Sequence, residues 1–388
     1  MIKSLTIKNF KKFEQIKFED LQQFNIFLGV NNVGKTTILE SIMGFASGQF
    51  FTSVFNLSII DRLRNQVQGL NAYQFAELVL NTFHDFNSQN DLSFSFKGKV
   101  DDNKKVYEKE FVHRFEPGQL LAAFLPDKKI VANETSIINQ KVQMPFSSPM
   151  GNPVMMDIPS QYLGQWDIIS GKERKTYPLV SPYTFNQVPN EKPFITAAFH
   201  DITAHRNIYE FTKIYSSLMT QGILDKFIDE LNSAFTGLNI KSIDNIPYPD
   251  GSQAPISFSK KNGCRYPVYT LGDGVQRWFS LLGRMIAYPD AVHCIEEADV
   301  TFHHQAQGGL AANLKNVTQK YNNQVFMSTH NVEFLKTFLI GMGKDDPDFL
   351  RNQVRVVTLR NYRSNVKQRT LHGFEALEAI NNGLELRI

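Results

Sequence analysis

The spacing of apolar positions changes period several times along this chain, and each change marks an element. Phe24-Asn25-Ile26-Phe27-Leu28 is almost continuously apolar and predicts a buried strand. Ile38-Leu39-Glu40-Ser41-Ile42-Met43 follows with helical character. Leu92–Phe96 and Val106–Val112 alternate with period two and predict strands of a meander. Helical spacing is expected over 58–86 and again over 204–238, where Ile208, Phe211, Ile214 and Leu218 share one face. A hairpin is expected at 254–270 and a helix from Trp278 to Tyr288. Ala291–Ile295 reads as a short strand ending in two carboxylates, 305–320 as a helix and Gln324–Ser328 as another strand. The tail from 352 predicts strand, turn, strand and a helix from Gly373 to Asn382. Residues 115–195, rich in Pro, Ser, Asn and Gly, predict a loop-heavy insert.

Between the first buried strand and the first helix stands Gly29-Val30-Asn31-Asn32-Val33-Gly34-Lys35-Thr36-Thr37, which fits G-x-x-x-x-G-K-[ST]. Strand, glycine loop and helix form the context this phosphate-binding pattern needs. Backbone N–H groups from Gly29 through Asn31, Asn32 and Gly34 to Thr37 can curl around an anion, and the helix turns its positive end toward it. Lys35 would reach the β- and γ-phosphates, and Thr36 would hold Mg²⁺.

Composition narrows the rest. Apolar residues make up 42% and charged residues 20% of 388 residues, a globular balance with room for two or three domains. The net charge of +3 is too small to imply nucleic-acid or membrane binding by itself. Two cysteines, Cys264 and Cys294, form no disulfide pattern, and neither a signal peptide nor a membrane-length apolar run is evident, so a cytoplasmic protein is expected.

Hydrolysis of a bound triphosphate needs a carboxylate for the metal and a group to orient water. Glu296 and Glu297 end an apolar strand, where ligands of open α/β sheets bind. Glu296 would hold Mg²⁺ through its bound water, and Glu297 would polarise the attacking water. His330 ends the next strand and could hydrogen-bond the γ-phosphate. Upstream, Gly272-Asp273-Gly274 opens a helix as a second anion-binding element. His200-Asp201 and His205 read as a helix start rather than metal ligands. His303 and His304 read as structural or interface residues, and Trp278 and Phe279 as core. Arg351, Arg355, Arg360, Arg363, Lys367 and Arg369 read as the solvated face of a strand pair, with a nucleic-acid stripe as the other reading.

Taken in order, these elements resemble an ABC-type ATPase head of the RecF-like, SMC-like and OLD-like kind, in particular the standalone bacterial AAA_15/AAA_21-type ATPases. Asn9-Phe10-Lys11-Lys12-Phe13 and Gly383-Leu384-Glu385-Leu386-Arg387 at the two ends carry the same resemblance, which covers about 1–45 and 195–388. It implies an α/β P-loop NTPase with a split core, a mixed sheet plus an antiparallel lobe, and an inserted helical and loop region. The expected division is 1–115 for an N-terminal lobe, 116–245 for an insert or arm and 246–388 for a C-terminal lobe. The separation of Lys35 from Glu296, 261 positions (296 − 35), agrees with a split core.

The resemblance also implies residue roles. Gly272, Asp273 and Gly274 would be the signature loop that completes the ATP site of a second protomer, Ala298 to His303 the D-loop region, and Lys11 a nucleotide-side cation. Gly272 stands where such families usually have Ser, and Glu296 where they usually have Asp, which predicts slow hydrolysis. The implied protein is an ATP- and Mg²⁺-dependent dimer, or a higher oligomer, acting as a switch for a separate effector, a nuclease or toxin, in phage defence. Only 58 residues (388 − 330) follow His330, too few for a fused Toprim nuclease. The other readings are a RecF-like DNA clamp, with the basic tail and the 204–238 helices carrying DNA, and an inactive scaffold.

Overall fold

A computed structural model describes residues 1–48, 92–101, 105–115, 141–147, 153–159, 162–180, 194–202, 208–235, 237–245, 256–260, 263–301, 307–363 and 365–386. The helix expected over 58–86 and residues His205, His303 and His304 lie outside these. The chain divides into two compact units. One comprises Met1, Leu21–Leu39 and Ile195–Ile388, the other Ile2–Asp20 and Glu40–Phe194.

The elements run β1 (Ile2–Phe10), β2 (Phe13–Phe18), β3 (Phe24–Gly29), α1 (Lys35–Ser47), β4 (Leu92–Asp101), β5 (Val106–Phe115), β6 (Lys141–Ser147), β7 (Pro153–Pro159), β8 (Tyr162–Ser170), β9 (Glu173–Val180) and β10 (Ala197–His200). There follow α2 (Ile208–Thr220), α3 (Leu224–Ala234), β11 (Ile240–Asp244), β12 (Ser257–Lys260), β13 (Arg265–Pro267), α4 (Asp273–Ala287), β14 (Val292–Ile295), α5 (Ala298–Thr301) and α6 (Gln307–Lys320). The chain closes with β15 (Gln324–Thr329), α7 (Val332–Gly343), α8 (Pro347–Asn352), β16 (Val354–Tyr362), β17 (Asn365–His372) and α9 (Gly373–Asn381).

The unit holding the phosphate loop is built on a six-stranded sheet of order β10-β14-β15-β3-β16-β17. All its pairings are parallel except β16 with β17. Parallel strands covered on both faces explain why β3, β14 and β15 are buried at every position. The topology places β3, from the start of the chain, between β15 and β16 from its end, so the core is split in sequence and continuous in space. One hydrophobic cluster joins these strands to α2, α3, α4, α6 and α7. Phe279 packs edge-on to Phe211 and Phe227, with ring centroids 5.2 and 4.9 Å away. The helical stretch 204–238 is thus two helices, broken at Gly222 (φ +65°), with apolar faces sunk in this core. Trp278 and Phe279 are core residues, as their spacing predicts.

The other unit contains an antiparallel sheet of order β2-β1-β4-β5-β8-β9. Its last two strands correct the expectation of a loop-heavy insert over 115–195. Tyr162–Ser170 and Glu173–Val180 form a hairpin that continues the meander begun by β4 and β5. The turn at Gly171 (φ +60°) needs a residue that tolerates the left-handed region. The buried polar residue that obscures the alternation is Asp167, whose carboxylate accepts from Arg114, Arg174 and Thr176 at 3.1, 2.7 and 2.7 Å. A carboxylate this well donated to can stand at a core-facing strand position.

Candidate active site

Three neighbouring strands end together. In the parallel register Ile295 of β14 pairs with Met327 of β15, and Met327 with Ile26 of β3. Glu296 and Glu297 therefore leave β14 level with Ser328 and Thr329, and His330 leaves β15 beside Gly29. Strand register alone brings together chemistry that the sequence scatters over 300 positions.

The phosphate loop has the local geometry its motif requires. Gly34 sits at φ +105° and Asn32 at +61°, the left-handed region that Gly and Asn adopt at least cost. Gly29 is needed for close approach, because a Cβ there would lie 2.8 Å from Val33 Cγ1 and 2.9 Å from the Leu359 carbonyl oxygen. Asn31 and Asn32 are exposed on the loop. Lys35, the first residue of α1, donates to the carbonyls of Gly29 (2.7 Å) and Val30 (2.9 Å). Burial lowers its pKa, and the carboxylates of Glu297, Asp299 and Glu296 oppose that shift.

Thr36 Oγ1 donates to Glu296 Oε1 at 2.5 Å. A hydroxyl and a carboxylate oxygen side by side are hard donors of the kind Mg²⁺ takes, so these two residues fit the metal expected of them. The backbones of both acids are pinned from neighbouring strands. Glu296 N–H donates to the His200 carbonyl on β10 at 2.9 Å, and Glu297 N–H donates to Ser328 Oγ on β15 at 3.1 Å. Glu297 stands at φ +44°, a conformation a non-glycine residue holds only when its surroundings enforce it.

His330 is half-exposed, with Nδ1 3.7 Å from Asp299 Oδ2. Asp299 Oδ1 accepts the Thr329 hydroxyl at 2.7 Å. Sequence reasoning missed Asp299 and Ser328. The signal for Asp299 was its place two residues after Glu297, but an acid opening a helix reads equally well as a dipole partner.

Gly272 precedes α4 with φ −57° and ψ 145°, and Gly272, Asp273 and Gly274 are all exposed. Gln276 braces this turn by donating to the Leu271 carbonyl at 2.7 Å, and Arg277 Nε donates to Asp273 Oδ2 at 2.9 Å. Lys11 belongs to the other unit, where its ammonium pairs with Glu40 at 2.5 Å.

Two minor expectations are corrected. His200 does not start a helix; it ends β10, because the apolar stretch before it is drawn into the parallel sheet. Its Nε2 lies 3.1 Å from His293 Nδ1. Burial holds both rings neutral, His293 with a pKa near 3 and His200 well below its ordinary value. Arg355 is not on a solvated face. It is buried, and Nη1 donates to the carbonyls of Arg351 (2.8 Å) and Val354 (3.0 Å). Both cysteines are free thiols, and burial pushes that of Cys294 upward.

The profile of the AAA ATPase domain, AAA_15, matches residues 186–335, which hold the Gly272 turn, both carboxylates and His330. Across 96% of both chains the protein is 24% identical to one from Helicobacter pylori (strain ATCC 700392 / 26695) named ATP/GTP phosphatase. Its fold is similar to a solved SMC head bound to the C-terminal winged-helix domain of ScpA, with a TM-score of 0.54 at 10% identity over 97% of this chain and 99% of that one. Residues 186–335 thus match an AAA ATPase domain, and the fold is similar to that of an SMC head.

Proposed function

We propose that this chain hydrolyses ATP, slowly, at a site completed by a second copy, and that the bound triphosphate works as a switch for a separate effector. The observation that carries the reading is the convergence of Lys35, Thr36, Glu296, Glu297 and His330 at the ends of β3, β14 and β15. Lys35 and the loop amides bind the β- and γ-phosphates. Thr36 and Glu296 would hold Mg²⁺, which would supply positive charge against the phosphate oxygens. Glu297, fixed by Ser328, accepts a hydrogen bond from the attacking water. His330 donates to the γ-phosphate and loses that contact when the phosphate leaves. The exposed Gly272–Gly274 turn, at the N-terminus of α4, presents backbone N–H groups to the triphosphate of the second copy.

The nuclease or toxin effector, the role in phage defence and the cytoplasmic location rest on the resemblance to standalone bacterial ATPases. The relative's name makes GTP a second substrate to assay beside ATP. Glu297→Gln is expected to abolish turnover while keeping nucleotide bound and the two copies together. Phosphate release and the mass of the complex with and without MgATP test this. Unchanged turnover in E297Q, or a monomer in every nucleotide state, refutes it.

One observation favours a DNA-binding clamp as the second reading. Arg360, Lys367 and Arg369 share one face of the β16–β17 hairpin, opposite each other or Thr358 in register, and line a cavity of about 790 Å³. Affinity for duplex DNA that rises with ATP and falls steeply with salt would support it.

A further inference from the structure

Asp299 makes contacts that its position in the chain does not call for. It lies in α5, a single turn following Glu297, where a carboxylate ordinarily faces its own helix's first N–H groups. Here both oxygens are turned to the end of β15. Oδ1 accepts the Thr329 hydroxyl at 2.7 Å and Oδ2 faces His330 Nδ1 at 3.7 Å, with the Asp299 side chain only 8% exposed. The backbone on either side of His330 is fixed independently. Thr329 is fully buried, its Oγ1 also accepts the Asn331 N–H at 3.1 Å, and Asn331 Oδ1 caps α7 by accepting the Phe334 N–H at 3.0 Å. What the backbone leaves open is the rotation of the imidazole ring, whose side chain is 43% exposed.

We propose that Asp299 is the positioning residue for His330. Its carboxylate holds a proton on Nδ1 and so turns the Nε2 edge of the ring toward the substrate phosphate. The separation of 3.7 Å is longer than a hydrogen bond, as catalytic contacts often are before substrate tightens them. With Asp299 on one side and an anionic γ-phosphate on the other, a ring protonated at both nitrogens donates in both directions. Asp299 also gives the histidine a mechanical link to the acid pair, since it follows Glu297 by two residues on the same turn. Release of phosphate would then be felt at α5 as well as at His330. The inference rests on the reading that His330 meets the γ-phosphate.

The test is a double-mutant cycle on the full chain, with ATP turnover and a histidine spectrum as separate readouts. Asp299→Asn is expected to lower kcat about tenfold with KM for MgATP within threefold, as for a group that matters in the transition state. His330→Gln is expected to lower it at least as much, and D299N/H330Q to be no slower than H330Q alone. In ¹⁵N-histidine NMR spectra with MgADP, the His330 signal, identified by its loss in H330Q, should show a protonated Nδ1 in the parent and an unprotonated one in D299N. Losses that multiply in the double variant, or an unprotonated Nδ1 in the parent, overturn the proposal. If D299N does not fold, Thr329→Val releases Oδ1 and takes its place in the cycle, where non-multiplying losses support the proposal and multiplying losses overturn it. If E297Q and H330Q are slow and D299N is not, Asp299 alone has been misread. If H330Q turns over normally, the histidine's phosphate contact falls and this proposal falls with it.

Discussion

Replacing Ser328 with Ala removes one oxygen from a fully buried position and asks how much of the catalysis depends on where Glu297 is held. Ser328 Oγ accepts the Glu297 N–H at 3.1 Å, and Glu297 occupies φ +44°. The left-handed region costs a non-glycine residue about 1–2 kcal/mol, and a neutral hydrogen bond contributes about 0.5–1.5 kcal/mol. The hydrogen bond offsets much of that strain, and its loss favours a relaxed conformer. Without it, Glu297 relaxes to a negative φ and its carboxylate swings away from the water it orients. If the set conformer then lies about 1.4 kcal/mol above the relaxed one, roughly one molecule in ten remains correctly set, against nearly all in the parent, and kcat should fall about tenfold. The KM for ATP should change little, because Lys35 and the loop amides are untouched. Stability should fall by about 1 kcal/mol, or about 2–4 °C in Tm for a unit of some 200 residues. Phosphate release measured against ATP concentration, with a thermal melt alongside, reads all three quantities. A variant that loses the stability and keeps its kcat would show that the Ser328 contact is structural only, and that Glu297 finds its place by other means.

The Gly272 turn has ordinary φ and ψ values and open space around a new Cβ, so Gly272→Ser should fold with stability changed by only a few tenths of a kcal/mol. If the turn meets a neighbour's triphosphate, the added hydroxyl should strengthen MgATP-dependent association, read by sedimentation, and identical association in both proteins would argue against that contact. Gly341→Ala should destabilise by about 1–3 kcal/mol, since its Cβ would lie 2.8 Å from Gly308 Cα where α7 crosses α6. A denaturation midpoint unchanged from the parent would mean the helices can part at no cost. His113 and His293 are buried neutral with pKa values near 3, far below the unfolded value of 6.5. The unfolded chain therefore binds their protons first as pH falls, and stability should be full above 6.5 and drop by about 1.4 kcal/mol per histidine for each unit below it. Urea midpoints between pH 7.5 and 5.5 check this, and His293→Asn should flatten the slope of the unit that contains it.

The sequence made the nucleotide-binding half of the site readable because its requirements are local. A tight anion-binding loop needs glycines at fixed offsets, and the left-handed Gly34 and crowded Gly29 show why no other residues serve there. Helices such as α4 were readable because one wide apolar stripe carries Trp278, Phe279, Leu281 and Leu282 into the core. What was not readable depends on strand neighbours. Ser328 looks like any polar residue at a strand end until β15 is set beside β14. His200 looks like part of a helix start until β10 pairs with β14 and its carbonyl meets Glu296. The hairpin β8–β9 stayed hidden because Asp167 breaks the apolar alternation, and its charge is answered by Arg114, more than fifty residues earlier.

Strand order also bears on how hydrolysis could move something. The lysine and threonine follow β3, the acids β14 and the histidine β15, three neighbouring parallel strands of one sheet whose chemistry lies at their carboxyl ends. Each acid is tethered to a different neighbour, Glu296 to β10 and Glu297 to β15. A metal and triphosphate bound across these ends would add an ionic link between strands otherwise joined by backbone ladders and packing. Losing the γ-phosphate would remove the part of that link nearest His330 and leave the part at Lys35 intact. The expected change is therefore asymmetric, concentrated on the segments after β14 and β15. Those segments run into α5 and α7, and hydrogen exchange of the E297Q protein should show them, more than the phosphate loop, gaining protection when MgATP replaces MgADP. Equal protection of loop and helices would place the switch elsewhere in the chain.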